Sequence, residues 1–395
     1  MPASESSRRF AVIVAVDREQ HLALGPFKVT TAELPHWASQ HLTAQDQVAF
    51  ELTTNAWSMY DLLAAQAGRV VVTNPYKTKL IAEAYIKNDK VDALTLARLL
   101  AAGFTCEVWV PDRQVREQRA LAHQRARLQR EVTRLKNRIH TLLHRHNLTC
   151  PTPSLFTAAG QAWLTGLALS PTDALQLRHW LGQLGLLHQQ LDQTDQLIAC
   201  LASQDPRIPR VMQLTGIGYY TAFAILAAIG NIQRFATPDQ LTAYAGLVPR
   251  QHQSGQTCYF GHITKAGNPL LRWLMVEAAR SAVRWDAHWR QLHNQLARRR
   301  GSNIAVVAVA RKLLVTIWYL LTDQSLYHHL QAQTFVTKLQ DWAYRLSAAQ
   351  HPIPSVRDFV TSQLGMLGLT RLADGLVTDK RSGRLRVQPT YLQRA

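Results

Sequence analysis

Phe10-Ala-Val-Ile-Val-Ala-Val16 is followed at once by Asp17. Seven apolar residues without a polar interruption read as a buried central strand, so the carboxylate after them emerges from the sheet at a strand end. Gln47-Val-Ala-Phe50 closes on Glu51 in the same manner. Lys87-Asn-Asp-Lys-Val-Asp-Ala-Leu-Thr-Leu-Ala-Arg98 opens a predicted helix in which Asp89 and Asp92, three apart, share one face. Four oxygen donors suit Mg²⁺, a hard cation that favours carboxylates and water and binds alongside substrate phosphates. Two such ions would clamp the attacking and leaving oxygens of a phosphoryl transfer. Each acid alone also reads as a turn or first-turn residue. Acids at the ends of two apolar strands, together with a pair at a helix start, favour the metal site.

Outward from that strand, residues 9–112 alternate apolar runs (10–16, 48–50, 69–73 and 107–110) with helical segments (59–68, 77–85 and 91–102). Such alternation indicates an α/β domain, and a first strand carrying an acid is compatible with a ribonuclease-H-like sheet. From 113 to 147 the chain becomes one long helix without Gly or Pro. Leu121, Leu128, Leu135 and Leu142 recur every seven residues, with Val132 and Ile139 at the alternate core positions, a short coiled-coil register. Ten Lys or Arg stand there against two Glu. Arg127, Arg130, Arg134 and Arg138 therefore read as a nucleic-acid track on a helix that also forms a seam.

Pro151-Thr-Pro153 interrupts the chain, and a second amphipathic helix over 174–201 is expected to fold back as a hairpin, making 113–205 one helical region. Asp205-Pro-Arg-Ile-Pro209 marks the next boundary. A mostly helical domain spans 206–345 and opens on Leu214-Thr-Gly-Ile-Gly218, which resembles the phosphate-facing turn of helix-hairpin-helix modules. Residues 346–395 form an extension of unknown role whose Lys380-Arg-Ser-Gly-Arg-Leu-Arg386 is either a nucleic-acid contact or a basic tail.

Composition narrows the partners. At 395 residues and 47% hydrophobic content, the chain builds real cores and is not disordered. Lys plus Arg number 44 against 26 acids, a formal charge of +18, which favours a polyanion, with nucleic acid ahead of a membrane surface. No stretch of about 18 uninterrupted apolar residues and no apolar leader core is present, so a cytoplasmic protein acting at the nucleoid is expected, with no membrane partner. Cys106, Cys150, Cys200 and Cys258 are dispersed without a CxxC pair and read as reduced thiols. His140, His144 and His146 lie on the basic helix without ligand spacing.

Gly246-Leu-Val-Pro249 leads to Arg250-Gln-His-Gln-Ser254-Gly255 and then to Phe260-Gly-His-Ile-Thr-Lys265-Ala-Gly-Asn268-Pro-Leu-Leu-Arg272. In this polar, basic stretch a hydroxyl at Ser254 is placed for exposure, and Lys265, Arg272 and the backbone at Gly267 could hold a phosphate. Ser-Gly is also a common turn.

Taken with their flanks, these stretches resemble one family. They are Ala15-Val-Asp17, Glu51 with Thr53-Thr-Asn55, Asn74-Pro75, 87–94, 214–218, Ala243-Tyr-Ala-Gly-Leu-Val-Pro249, Ser254-Gly255, Gly261-His-Ile-Thr-Lys-Ala-Gly-Asn268 and Ala310-Arg-Lys-Leu-Leu314. The family is that of the insertion-sequence transposases that pair an N-terminal RuvC-like DEDD domain with a C-terminal serine domain, the bridge-RNA-guided recombinases. The resemblance covers about 10–330. It implies that Asp17, Glu51, Asp89 and Asp92 are DEDD ligands for Mg²⁺ and that Ser254 is the nucleophile of a covalent phosphoserine link. It also implies target and donor DNA as substrates, a guide (bridge) RNA as partner, and a homo-oligomer, dimer or tetramer. Departures fall beside the acids: Arg18-Glu19 stand where the family commonly has Ser-Lys, and Thr53-Thr-Asn-Ala-Trp57 where it has Thr-Gly and an aromatic. The expected architecture is thus a RuvC-like α/β domain, a long coiled-coil hairpin and a mostly α transposase domain, with a site composed from the acids and the serine. The rival readings are a metal-dependent junction-resolving nuclease in which Ser254 is structural, and an RNA-binding or regulatory protein with a degenerate site.

Overall fold

The computed structural model describes residues 10–81, 88–255 and 257–392. The chain divides into two compact units, Met1–Asp112 and Arg113–Ala395.

In the first unit, β1 (Phe10–Val16) turns at Asp17 into β2 (Leu22–Thr30) and pairs with it antiparallel, from Phe10↔Thr30 to Val16↔Leu22. Next come α1 (Leu34–His41), β3 (Gln47–Glu51), α2 (Ala56–Ala64), β4 (Arg69–Thr73), α3 (Pro75–Ile81) and α4 (Asp89–Ala101). β3 and β4 are parallel, joined through α2 as a βαβ unit. α4 lies against both β1 and β3. The helix expected over 77–85 ends partly outside the described residues, whereas the one expected over 91–102 begins at Asp89, where Asn88 caps it by accepting from the Lys90 N–H at 3.0 Å.

Three expectations are corrected here. β1 is half-buried along its whole length rather than fully enclosed, and among the described residues its ladder runs to β2 alone. β1 pairs with an edge hairpin partner, β2 over 22–30, which the sequence did not reveal because its exposed Leu22 and Leu24 and internal Gly25-Pro26 break the strand pattern. Among the described residues, β1-β2 and β3-β4 are separate two-stranded ladders rather than one continuous sheet. The strand expected over 107–110 reduces to an isolated bridge, Thr73↔Glu107, with the Val108 N–H donating to Val72 at 2.7 Å before Pro111 ends the pairing.

The second unit begins with the expected helical hairpin. α5 (Arg113–Arg145) and α7 (Pro171–Ser203) are 33 residues each and antiparallel, with α6 (Ala158–Thr165) under their connection. The heptad pattern is spent within the chain. Leu128, Val132 and Leu135 meet Leu184 and Leu191 at mid-length, and Ile139, Leu142 and Leu143 meet Leu155, Leu164 and Leu177 at the far end. At the root, Ala122 joins Ile198, Ala199 and Ala202 in the main core. Arg125 Nε donates to Asp195 Oδ1 at 2.9 Å across the seam, with both side chains four-fifths or more covered. Ser170 accepts from the Asp173 N–H and Pro171 takes the first helical position, which fixes the start of α7.

Beyond the hairpin come α8 (Arg207–Met212), α9 (Tyr219–Ile229), α10 (Pro238–Tyr244), β5 (Pro249–Ser254), β6 (Thr257–Ile263), α11 (Pro269–Trp285), α12 (Ala287–Arg300) and α13 (Ser302–Thr322). The chain continues through α14 (Ala332–Ala348), α15 (Val356–Met366), α16 (Thr370–Asp374), β7 (Leu376–Thr378), β8 (Leu385–Val387) and α17 (Pro389–Leu392). One apolar core runs from Ala122 to Val387, so 346–387 packs into the same interior as the residues before it. The β7-β8 hairpin is mounted on α14 by glutamines seven apart. Gln340 Oε1 accepts from the Leu385 N–H at 3.0 Å and Gln333 Oε1 from the Val387 N–H at 2.9 Å. α13 alone among the described helices is long and apolar enough to cross a membrane, with a mean hydropathy of 2.0. It carries Arg311 and Lys312 midway, and Val309, Ala310, Leu313, Leu314 and Ile317 lie in the core. All four cysteines are free thiols.

Candidate active site and nucleic-acid interface

Asp17 sits at the C-terminal end of β1 as expected, exposed, but it also shapes the turn. Its Oδ1 accepts from the backbone N–H groups of Glu19 and His21, both at 2.9 Å, while Oδ2 faces His21 Nδ1 at 3.5 Å. Glu51 is the last residue of β3, paired with Thr73 and exposed. Asp89 and Asp92 occupy the first turn of α4, Asp89 and Asp92 both being exposed. Thus the acids stand at the ends of two strands and one helix, and that helix lies against both strands. Among the described residues, the group of three ligand side chains with donor atoms within 4.8 Å of one another is Asp17, Glu19 and His21, not three of the four acids. The alternating Asp17-Arg-Glu-Gln-His21 spacing across the turn was the missed sequence signal. Hard carboxylate donors, accessible and anionic, fit a divalent cation in chemistry.

Ser254 ends β5 and pairs with Thr257 across a tight turn that begins at Gly255, whose φ is +58°. It lies in a two-stranded ribbon, where the sequence suggested a loop. No periodicity revealed the strands because both faces of the ribbon are exposed, including Tyr259 and Phe260. The ribbon is anchored at its base by the two quoted motifs that flank it. The Thr264 N–H donates to Val248 and the Asn268 N–H to Tyr244, both at 2.9 Å. Asn268 Oδ1 caps α11 by accepting from the Leu271 N–H at 3.0 Å. A Cβ at Gly267 would stand 2.1 Å from the Tyr244 carbonyl oxygen, and one at Gly246 would stand 2.6 Å from the Ala266 oxygen. Of the two cations expected to hold phosphate, Lys265 is exposed, whereas Arg272 Nη1 is engaged in a 3.0 Å bond to the Ala245 carbonyl. Arg272 therefore buttresses the loop.

Along α5, Arg127, Arg130, Arg134 and Arg138 are all exposed at spacings of three and four, so they form one stripe. Arg134 also bonds Glu131 at 2.6 Å, and Arg130 Nε bonds the Ala126 carbonyl at 3.3 Å. Arg134, Arg138 and Arg145 line a hollow of about 350 Å³ with Trp180. His146, just past the end of this helix, pairs with Asp173 at 2.8 Å, and His140 packs edge-on to Phe156.

The glycine turn before α9 has a partner that the sequence did not reveal. The ammonium group of Lys338 on α14 is enclosed, and its Nζ donates to the carbonyls of Met212, Leu214 (2.9 Å) and Ile217 (3.2 Å), fixing the turn from below. Burial pushes the Lys338 pKa down to about 7. Tyr219 stacks on Trp342, and burial, chiefly, raises its pKa to about 12, while Arg125 lies over the Tyr220 ring at 4.1 Å. These tyrosines are packing residues. Trp273 stays 44% exposed.

Acids at two strand ends and a helix start, a serine on an exposed ribbon and an arginine stripe are compatible with a DNA-processing enzyme, and similarity to known proteins supplies that class. Residues 6–148 match the DEDD transposase domain of the IS110 group, and residues 208–294 match the Transposase IS116/IS110/IS902 family. The transposase for insertion sequence element IS1111A of Coxiella burnetii is 32% identical over 255 residues, 61% of this chain and 68% of that protein. A probable family 20 transposase of Pseudomonas aeruginosa is 32% identical over 257 residues, 62% and 75% of the two chains. The pilin gene-inverting protein of Moraxella bovis is 27% identical over 304 residues, 74% and 85%. The chain belongs to the IS110 family of insertion-sequence transposases. As such it binds DNA and recombines a mobile element by strand cleavage and transfer, and its DEDD domain implies a divalent metal ion, commonly Mg²⁺.

Proposed function

We propose that this transposase cleaves and rejoins DNA through a phosphoserine at Ser254. The observation that carries this reading is the position of Ser254, exposed at the tip of a ribbon with no acidic residue from 249 to 265. In the proposed step the Ser254 Oγ attacks the scissile phosphorus, the new Oγ–P bond replaces one P–O bond to deoxyribose, and the serine proton leaves with the departing oxygen. Reversal onto a second strand end restores a phosphodiester, so the bond energy is retained. Asp17, Glu51, Asp89 and Asp92 would hold the divalent ion, whose chemistry when bound is to offset charge on the phosphate oxygens. Placing those acids in a RuvC-like domain that joins Ser254 in a composite site, within one subunit or between subunits of a dimer or tetramer, belongs to the same reading. So does a guide RNA that supplies sequence choice by base pairing, while the protein holds backbone and shape. Arg127, Arg130, Arg134, Arg138 and Lys265 would carry phosphate contacts, and the glycine turn before α9 a further backbone contact. The net +18 suits a chain that carries two nucleic acids.

The test is a denaturing-gel assay for covalent protein–DNA adducts with RNA from the element, Mg²⁺ and labelled DNA. An adduct lost in both Ser254→Ala and Asp92→Ala supports a coupled serine mechanism. Metal-dependent cleavage without an adduct, unchanged by Ser254→Ala, overturns it in favour of a resolving nuclease.

A further inference from the structure

We propose that the β5-β6 ribbon is an insertion element for DNA, and that Tyr259 is the surface on which an unstacked nucleobase beside the scissile phosphate comes to rest. This rests on the serine reading for the identity of that phosphate, and on the structure for the rest.

A two-stranded ribbon is marginal in water when it covers nothing. Here every β6 residue from Thr257 to His262 is exposed, so neither face is a core face. Large apolar rings are nevertheless presented, with Tyr259 62% and Phe260 67% exposed. Neighbouring residues of a strand project to opposite faces, so the ribbon offers one ring on each side. Core packing explains neither exposure, and Tyr259 stays 62% exposed alongside the interaction it makes within the protein. The occupant is chosen by charge: residues 249–265 contain Arg250 and Lys265, two histidines and no Asp or Glu, which repels a cationic partner and suits a polyanion. Aromatic rings set in a basic, acid-free element stack nucleobases of any sequence. A two-stranded ribbon is also narrow enough to enter a DNA groove.

Register assigns the two rings different jobs. Ser254 pairs with Thr257, and Tyr259 lies two residues further along β6, so Tyr259 and Ser254 fall on the same face, about 7 Å apart along the ribbon. That is close to the span of two stacked bases, so a strand whose phosphate reaches the Ser254 hydroxyl brings a flanking base over Tyr259. Phe260, paired with Gln251, is on the reverse face and would meet the other strand or the opposite groove wall. The base anchors described above, Thr264 to Val248 and Asn268 to Tyr244, fix the ribbon's base against the residues before it.

The experiment uses the full chain and a single-stranded oligonucleotide from the element's end, with 2-aminopurine placed in turn at each position around the cleavage site. Quenching at a base next to the cleaved phosphate is expected in the unsubstituted protein and in Tyr259→Phe. Tyr259→Ala should lose the quench and weaken binding by roughly 5- to 150-fold, the range for one base–aromatic stack, with no change in the salt slope. Lys265→Gln should do the reverse, lowering the slope by about 0.7 and keeping the quench. Absence of quenching in the unsubstituted protein, or equal binding by Tyr259→Ala and the unsubstituted chain, overturns the inference. The quench needs no covalent chemistry. If it is present while no Ser254-dependent adduct forms, the serine mechanism fails and the ribbon's role stands.

Discussion

Gly267 shows how tightly the ribbon's base is built. With φ at +119° and the Tyr244 oxygen 2.1 Å from where a Cβ would stand, it has no room for a side chain. Gly267→Ala is expected to cost at least about 2 kcal/mol, seen as a melting temperature lowered by several degrees, because conformation and contact both oppose it. Lys338 gives a pH signature. Its folded-state pKa of about 7 lies below the unfolded value of about 10.4, so from pH 7 upward the unfolded chain binds more protons there. That group's contribution to stability therefore rises with pH across the window, and Lys338→Met should flatten the rise in melting curves taken between pH 7 and 10. The sequence could reveal neither residue's role: a glycine's clash and a lysine's enclosure are set by partners 23 and more than 100 positions away in the chain.

At the scale of elements, what repeats along the chain was legible and what depends on a partner was not. The heptad of α5 announced a seam because each leucine projects to the same side every two turns, and α7 supplies that side. β2 was hidden because its outward leucines break alternation, and the β5-β6 ribbon because it has no inward face at all. The β7-β8 hairpin was invisible for another reason: side chains of α14 replace the third strand. Gln340→Ala should strand the buried Leu385 N–H and cost about 1–3 kcal/mol, and a Gln340→Glu variant that keeps the acceptor should recover part of that loss in denaturant titrations. In the α5-α7 seam, Asp195→Ala leaves Arg125 largely covered and unpaired, with an expected loss of about 2 kcal/mol. The paired replacement Arg125→Met with Asp195→Leu should lose less than the two single changes summed, which a double-mutant cycle reads directly.

For the whole molecule, charge governs association. Replacing Arg127, Arg130, Arg134 and Arg138 by glutamine should lower the slope of log affinity against log salt for duplex DNA by up to about 3.6, that is about 0.9 for each phosphate no longer neutralised, while melting stays unchanged because all four side chains are exposed. An unaltered slope would remove the stripe from the interface. The positions of the four acids on their elements were legible, Asp17 and Glu51 at strand ends and Asp89 and Asp92 in a first helical turn, whereas the Asp17, Glu19 and His21 group was not, because it depends on how the turn after β1 folds. The hairpin of α5 and α7 has a further property. Each helix is about 50 Å long, joined to the main core near Ala122 and Ile198, with a separate small core around Leu142 and Leu164 at the other end. It has the geometry of a lever: a tilt of about 10° at Ala122, about 35 Å from the far end of α5, would sweep that end by roughly 6 Å, close to two base-pair steps.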